Sequence, residues 1–287
     1  MSKTLFSRIN EKADRFSKGQ KRIADYILEH YDKASFMTAA KLGETVGVSE
    51  STVVRFASEI GYDGYPMLQR ALQEMIRNKL TSIQRIQLAN EQIDPDLVLD
   101  TVLNQDIERI RRTLDETSRE DFKQAVQAIV HAKTIYIIGS KSASNLANFL
   151  SFYFNLIFEQ VRLVQASSTS EMYEQMIHLS SEDVLIGISF PRYSKRTVEA
   201  FRYASDNGAT IIAITDSETS PLCETADYSL LARSDMASFV DSLVAPLSLV
   251  NALIVAIGLE MNDQVCHTFE KLENIWEEYN VYEKIKN

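Results

Sequence analysis

Cysteine, proline, glycine and tryptophan are all scarce in this chain. Its 287 residues include 2 Cys, 5 Pro, 9 Gly and 1 Trp. The two cysteines, Cys223 and Cys266, have neither CxxC spacing nor a neighbouring histidine cluster, which argues against a disulfide framework or a zinc site and fits a reducing cytoplasm. With 45% hydrophobic and 24% charged residues, the composition is that of a folded globular protein rather than a disordered or fibrous one.

Long uninterrupted apolar runs are also lacking. The N-terminal segment 1–22 is amphipathic and charged, unlike a signal peptide. The most apolar stretch is residues 239–261. It is interrupted by Asp241, Pro246 and Asn251, so it predicts a helix buried in a core or subunit interface rather than a membrane span. We therefore expect a cytoplasmic protein with no membrane partner.

Charge is divided unevenly along the chain. Residues 1–80 carry 13 Lys and Arg against 10 Asp and Glu, a net charge of +3, whereas residues 81–287 carry 17 against 30, a net charge of −13. The first segment can approach a phosphate backbone while the acidic remainder stays soluble, so the charge permits nucleic-acid binding without proving it.

The apolar pattern changes after residue 132. Residues 18–81 show helical spacing and no strand, and residues 81–132 are helical with a break at Asp94-Pro95. From Lys133 onward, short β-branched runs alternate with helical intervals. The strand candidates are TIYIIG, VRLVQ, VLIGIS, TIIAIT and YSLLA. Nearly continuous apolar runs of this kind predict a parallel sheet covered by helices on both faces, and residues 240–282 return to helix.

Residues 37–64 contain the pattern of two helices joined by a tight turn. Thr38 can cap a short first helix, and Gly47 lies where the chain must turn and can adopt positive φ without a Cβ clash. Val48 supplies an apolar contact, and Ser49 is a good N-cap for the second helix. The segment therefore predicts a helix-turn-helix.

In the second of these helices, Val53, Phe56 and Ile60 share one face and are expected to pack inward. Polar side chains near the helix N-terminus face elsewhere and suit a DNA major groove. The candidate DNA-binding residues are Lys41, Ser49, Ser51, Thr52 and Arg55, with Lys18, Lys21 and Arg22 as further phosphate contacts. A plain helix-glycine-helix corner with Arg55 solvated at the surface explains this segment about equally well.

Two strand-to-helix junctions suit an anion. They are IIGSKSASNLANFL and ISFPRYSKRTVEAF. In an open parallel sheet, ligands lie beyond the carboxyl ends of the strands, where the next helix offers free amides and a positive dipole end. The candidate ligand-binding residues are Ser140, Lys141, Ser142, Ser144, Ser189, Arg192 and Ser194. Each serine alone is better explained as a helix cap, but two such junctions in one sheet favour an anion pocket.

Candidates for catalysis are few. An aldose-ketose isomerase needs a positioned base, for which Glu171 and His267 are available, but nothing in the sequence pairs them. Glu171 equally suits the first turn of a helix, where the dipole favours an acid. We predict no catalytic residue, no metal and no cofactor.

Two segments resemble known families. Residues 37–65 follow the pattern of RpiR-type regulators, M-x-x-x-x-L-x-x-x-x-G-V-S-x-S-T-V-V-R-F followed by G-Y-x-G-Y/F. Residues 133–260 resemble the SIS (sugar isomerase) domain, most clearly in GATIIAITDSETSPLCETADYSLL. The resemblance implies a DNA-binding transcriptional regulator of carbohydrate metabolism genes. Its affinity for double-stranded operator DNA would be controlled by a carbohydrate effector, expected to be phosphorylated, on the SIS domain.

The ligand loops depart from the SIS pattern. Many SIS domains have S-x-S-G-x-T after the third strand; here Ser189 matches, but Pro191 replaces the second serine and Arg192 the glycine. Ser194 stands for the threonine, and Lys141 occupies the place of a second glycine in the first loop. The departures leave open whether the loop binds phosphate and which effector it takes.

We therefore predict a multidomain α and α/β protein. Residues 1–80 form an all-helical helix-turn-helix bundle, 81–118 a helical connector, and 119–287 a doubly wound α/β SIS domain with a central parallel sheet and C-terminal helices. The apolar helix from Leu243 to Leu259 is a candidate interface of a homodimer or homotetramer. Two alternatives stay open: a sugar-phosphate isomerase with an accessory helical domain, and a helical adaptor that binds another protein.

Overall fold

The chain divides into two compact units, Met1–Gln92 and Ile93–Asn287. The computed structural model describes residues 5–76, 83, 85, 86, 93–235 and 240–283. The domain boundary predicted at residue 80 lies outside the described residues, and residues 93–118 group with the second unit. The three-part division therefore stays a prediction.

The first unit is helical wherever it has described secondary structure, as predicted. Its elements are α1 (Leu5–Lys12), a 3-10 turn (Ala13–Arg15), α2 (Lys18–Ala34), α3 (Ala39–Val46), α4 (Glu50–Glu59) and α5 (Tyr65–Ile76). A capping box starts α2: the Ser17 hydroxyl accepts from the amide of Gln20, and the Gln20 side chain accepts from the amide of Ser17.

One apolar core holds these helices together. Ile23 and Ile27 of α2 are one turn apart and fully buried, and they share the core with Phe56 of α4 and with Leu68 and Leu72 of α5. Burying each such side chain stabilises the fold by roughly 1.5–3 kcal/mol. The orientation of α4 is thus set by core packing.

The second unit alternates strands and helices. Its helices are α6 (Val98–Glu116), α7 (Arg119–His131), α8 (Ala143–Ile157), α9 (Thr169–Gln175), α10 (Lys195–Asp206), α11 (Val244–Glu260) and α12 (Asn262–Glu278), with a 3-10 turn (Pro95–Leu97) before α6. The strands are β1 (Ile135–Gly139), β2 (Val161–Val164), β3 (Val184–Ile188), β4 (Thr210–Thr215) and β5 (Tyr228–Leu231). All five predicted strands are present.

The five strands form one parallel sheet in the order β2-β1-β3-β4-β5. Successive side chains alternate between its faces: Ile135 and Ile137 join a core with α7, α8 and α11, whereas Tyr136 and Ile138 join a second core with α9 and α10. Helices cover both faces, which confirms the doubly wound α/β prediction.

Gly187 in the middle of β3 makes room for a helix. A Cβ added there would lie 2.0 Å from the ring of Phe201 on α10. Phe201 is fully buried. The absence of a side chain on the central strand therefore sets how closely α10 approaches the sheet.

The apolar helix α11 lies mostly inside the unit. Leu249, Leu253 and Ile257 are buried, whereas Val255 and Leu259 are exposed. In the part of the chain that the structure describes, no single helix is long and apolar enough to cross a membrane; α11 and α12 pass that test only as a pair bent by 98°.

Candidate functional site

The turn between α3 and α4 has the predicted form. The Thr38 hydroxyl accepts from the amide of Lys41 at the start of α3. Gly47 ends α3 in the left-handed region with φ +69°. The amide of Val48 donates to the carbonyl of Gly43 at 2.8 Å, and a Cβ on Gly43 would lie 2.8 Å from the carbonyl oxygen of Val48. Glycine at position 43 therefore allows the turn to pack directly on α3.

Ser49 occupies the N-cap of α4, but its side chain does not cap the helix. Its hydroxyl pairs with the hydroxyls of Ser51 and Thr52 at 2.9 and 2.8 Å instead of accepting from a backbone amide. The prediction of the position was right and that of the side-chain role was wrong. The start of α4 consequently presents a cluster of three hydroxyls.

The two faces of α4 differ as predicted. Val53, Phe56 and Ile60 are buried, whereas Ser51 and Arg55 are exposed. The Arg55 guanidinium folds back along the helix and donates to the carbonyl and hydroxyl of Ser51 at 3.2 and 3.3 Å. Arg55 therefore contacts the exposed face of α4 rather than the core.

The basic side chains Lys41 and Arg22, on the neighbouring helices, make different contacts. Lys41 on α3 is exposed and donates to Glu44 at 2.9 Å, and this hydrogen bond lowers the pKa of the Glu44 carboxyl below its ordinary value. Arg22 on α2 donates to the carbonyl of Gly47 at 2.9 Å. A surface pair such as Lys41 with Glu44 is weak and exchanges readily, whereas Arg22 braces the end of α3, a contact that the sequence did not predict.

The two Ser-rich loops meet at the carboxyl edge of the sheet. They follow β1 and β3, which are adjacent strands whose connections leave in opposite directions, the switch point where open α/β sheets bind ligands. The Ser194 hydroxyl donates to that of Ser140 at 3.0 Å, and the Ser194 amide donates to the hydroxyl of Ser189 at 3.0 Å. Three of the predicted ligand residues are thus joined across the crevice.

The remaining serines have mixed roles. Ser194 also caps α10 by accepting from the amide of Thr197. Ser142 sits at the N-cap of α8 without a side-chain bond, and Ser144 donates to the carbonyl of Lys141 at 2.6 Å. The helix-cap explanation holds for Ser194 and does not hold for Ser142.

Lys141 and Arg192 both have a backbone conformation that favours glycine. Their φ angles are +56° and +65°, in the left-handed region that favours glycine. Both side chains are exposed. The loops therefore retain a glycine-like path while adding two cationic side chains to the crevice edge.

A third loop, after β4, completes the crevice edge and was not predicted. The Thr215 hydroxyl donates to the carbonyl of Ser189 at 2.8 Å, and the Tyr193 hydroxyl donates to the buried carboxylate of Asp216 at 2.8 Å. The T-D pair at the end of the fourth strand, Thr215 and Asp216, is the signal that would have located it. These bonds fix the path of the loop that follows β3.

Glu171 and His267 have separate surroundings. Glu171 accepts from the hydroxyl and the amide of Ser167, both at 2.7 Å, and these bonds hold the pKa of its carboxyl below the ordinary value. It lies in the first turn of α9, whereas His267 is exposed on α12. Within the described residues, no group of three His, Cys, Asp or Glu side chains is arranged to hold a metal.

Both units match known protein families. Residues 3–79 match the helix-turn-helix domain of the rpiR family, and residues 128–256 match the SIS domain. An uncharacterized HTH-type transcriptional regulator of Haemophilus influenzae is 26% identical over 283 residues, which is 96% of each chain.

Two solved structures are similar in fold. The sugar isomerase domain of the RpiR transcription factor from Sphaerobacter thermophilus is 26% identical with a TM-score of 0.59, over 62% of this chain and 99% of that one. The Vibrio vulnificus NanR protein complexed with ManNAc-6P is 22% identical with a TM-score of 0.57, over 94% of this chain and 98% of that one. The first unit therefore contains a helix-turn-helix domain of the rpiR family, and the second contains a SIS domain.

Proposed function

We propose that this chain is a cytoplasmic DNA-binding transcriptional regulator of carbohydrate metabolism genes. A sugar phosphate or related carbohydrate metabolite bound at the crevice between β1 and β3 controls its DNA affinity. The observation that carries the proposal is the two-faced helix α4, whose core side buries Val53 and Phe56 and whose other side presents Ser51 and Arg55.

In this proposal the N-terminal end of α4 enters the major groove of operator DNA. Ser51 and Arg55 contact base edges, since a guanidinium donates bidentately to guanine. Lys41, Ser49 and Thr52 contact phosphates, and the open hydroxyl cluster at the start of the helix supports that role. The net charge of +3 on residues 1–80 favours approach to DNA.

The effector is held by the two Ser-rich loops. A phosphoryl group suits the helix N-termini behind the loops, where amides and serine hydroxyls donate to its oxygens. The ligand residues we propose are Ser140, Lys141, Ser142, Ser144, Ser189, Arg192 and Ser194. The ManNAc-6P complex of NanR supports a phosphorylated sugar as the class of effector.

We propose regulation rather than catalysis. The carboxylate of Glu171 is stabilised by the hydrogen bonds from Ser167, and a carboxylate of lowered pKa is a weak base. The relatives named as transcriptional regulators support the same choice. A sugar-phosphate isomerase is the second candidate because SIS folds include isomerases.

The proposed assembly is a homodimer or homotetramer. Helix-turn-helix proteins contact two half-sites as dimers, and the exposed Val255 and Leu259 make α11 a candidate contact. An effector that prefers one arrangement of subunits changes DNA affinity only by its differential affinity for the two arrangements, which typically amounts to about 1–3 kcal/mol of coupling.

The test is binding of the purified full chain to DNA from upstream of its own gene, at fixed near-physiological salt. Phosphorylated and unphosphorylated sugars are added in parallel, with random DNA as the control. If the chain binds this DNA specifically and one sugar changes the affinity, the result supports the proposed regulator. Binding no tighter than to random DNA, together with turnover of a sugar phosphate, supports the isomerase instead.

A further inference from the structure

Helix α6 buries polar side chains and exposes aliphatic ones, which is the reverse of the usual arrangement. Its buried side chains are polar: Arg109 is 5% exposed and Thr113 is 7% exposed. Its large aliphatic side chains face outward, with exposed fractions from 38% to 70%. These residues, which we call the α6 stripe, are Leu99, Leu103, Ile107, Ile110 and Leu114. Apolar surface of this extent on one helix marks an interaction site.

Specific hydrogen bonds hold the polar face inward. Thr113 accepts from the amide of Arg233 at 2.9 Å, and Thr117 donates to the carbonyl of Leu231 at 2.7 Å. Arg109 donates to Asp106 at 2.8 Å. Asp106 in turn accepts from the hydroxyl of Ser242 at 2.7 Å. Rotating α6 to bury the stripe would break the bonds from this face to residues 231, 233 and 242. The stripe is therefore held outward.

The α6 stripe is close to palindromic. Its members are spaced by four, four, three and four residues, so it extends about 22 Å along one face. In an antiparallel pair of α6 helices centred between Asp106 and Ile107, Leu99 faces Leu114 of the partner subunit and Leu103 faces Ile110 of the partner subunit. A surface complementary to itself under a two-fold rotation suits a second copy of the same chain.

We infer that the α6 stripe is the seam of a homodimer in which two α6 helices pack antiparallel about a two-fold axis. The inference rests on the proposed function, because a helix-turn-helix regulator needs a two-fold partner to contact two half-sites. The stripe exposes on the order of 500 Å² per chain, so the pair buries about 1,000 Å², the lower bound for a specific interface. Flanking residues, including the exposed Leu97 and Val98, add to it.

The seam also lies next to the carboxyl edge of the sheet in the second unit. Thr113 of α6 and its C-cap Thr117 bond to Arg233 and to Leu231, the last residue of β5. Because the sheet is parallel, β5 ends at the same edge as β1 and β3. One helix thus joins the dimer contact to the edge that carries the crevice.

The test uses two complementary variants of the full chain. Leu103→Lys and Ile110→Asp each place two charges in the seam of a homodimer and weaken dimerisation on the order of 100-fold or more. Light scattering at micromolar concentration should show half the wild-type mass for each variant alone. A one-to-one mixture should recover the wild-type mass, because the mixed dimer has one Lys-Asp contact and one native Leu-Ile contact.

The matched control is Ile177→Lys, which changes another exposed aliphatic side chain of the same unit and should keep the wild-type mass. Circular dichroism checks that each variant is folded. A monomeric wild type, variants that keep the wild-type mass, or a mixture that stays at half mass each overturns the inference. The measurement uses neither DNA nor effector. If the chain proves not to bind DNA, the light-scattering masses therefore still test the dimer seam.

Discussion

Replacing Gly43 with alanine tests the packing of the helix-turn-helix. The added Cβ would meet three backbone atoms of the turn, the closest being the carbonyl oxygen of Val48 at 2.8 Å. Backbone cannot rotate away as a side chain does, so α3 and the turn must separate. Overpacking costs about 1–3 kcal/mol, and the upper part of that range, about 2–3 kcal/mol, applies where the contacts are with backbone. The higher helix propensity of alanine offsets about 1 kcal/mol of it.

We expect Gly43→Ala to destabilise the first unit by about 1–2 kcal/mol, which lowers its melting temperature by roughly 5–10 °C. The displaced turn carries α4, so DNA affinity should fall as well. Far-UV circular dichroism follows both units, while fluorescence of the single tryptophan, Trp276 on α12, follows the second. Only the first-unit transition should shift.

The control for Gly43→Ala is Gly258→Ala on α11, where an added Cβ meets nothing within 4 Å. Alanine should stabilise that helix by up to about 1 kcal/mol and shift only the tryptophan-detected transition upward. A Gly43→Ala protein that melts and binds DNA like the wild type would refute the close approach of α3 to the turn.

Three further predictions concern single side chains. Burial raises the pKa of Tyr65, whose hydroxyl donates to the carbonyl of Met37 at 2.7 Å; its contribution to stability is complete below the ordinary tyrosine pKa of about 10 and is lost as pH rises above it. Tyr65→Phe should cost about 1 kcal/mol at neutral pH and reduce that alkaline loss, as denaturant titrations at pH 7 and 11 would reveal. Lys141→Gly and Arg192→Gly relieve positive φ and should keep the fold while weakening effector binding about tenfold or more; calorimetry showing unchanged affinity would remove both from the site. Ser194→Ala should lower the melting temperature by the equivalent of about 1 kcal/mol through loss of the α10 cap, and an unchanged melting temperature would contradict that role.

Local patterns were enough to predict most of the fold. The five strand runs and the glycine turn at Gly47 depend on neighbouring residues in the sequence, and all were found. The Ser49 side chain was mispredicted because its hydroxyl has alternative partners in Ser51 and Thr52. Side-chain competition of this kind depends on rotamers, which the sequence does not determine.

Contacts between distant segments could not be predicted. The bond from Arg22 to Gly47 joins residues 25 apart, and that from Thr215 to Ser189 joins residues 26 apart. The meeting of Ser140 and Ser194 was predictable only because parallel strands end at one edge of a sheet. The reversed polarity of α6 depends on hydrogen bonds to residues more than 100 positions away.

The most direct test of the central claim is the DNA affinity of Arg55→Ala compared with Arg70→Ala, at one salt concentration. Both variants remove one exposed arginine from the first unit, but Arg55 is on α4 and Arg70 is on α5. If α4 contacts the bases, Arg55→Ala loses about 1–3 kcal/mol of specific binding while Arg70→Ala stays close to wild type. Equal affinities for the two variants, or an Arg55→Ala protein that binds its operator as the wild type does, would contradict the account.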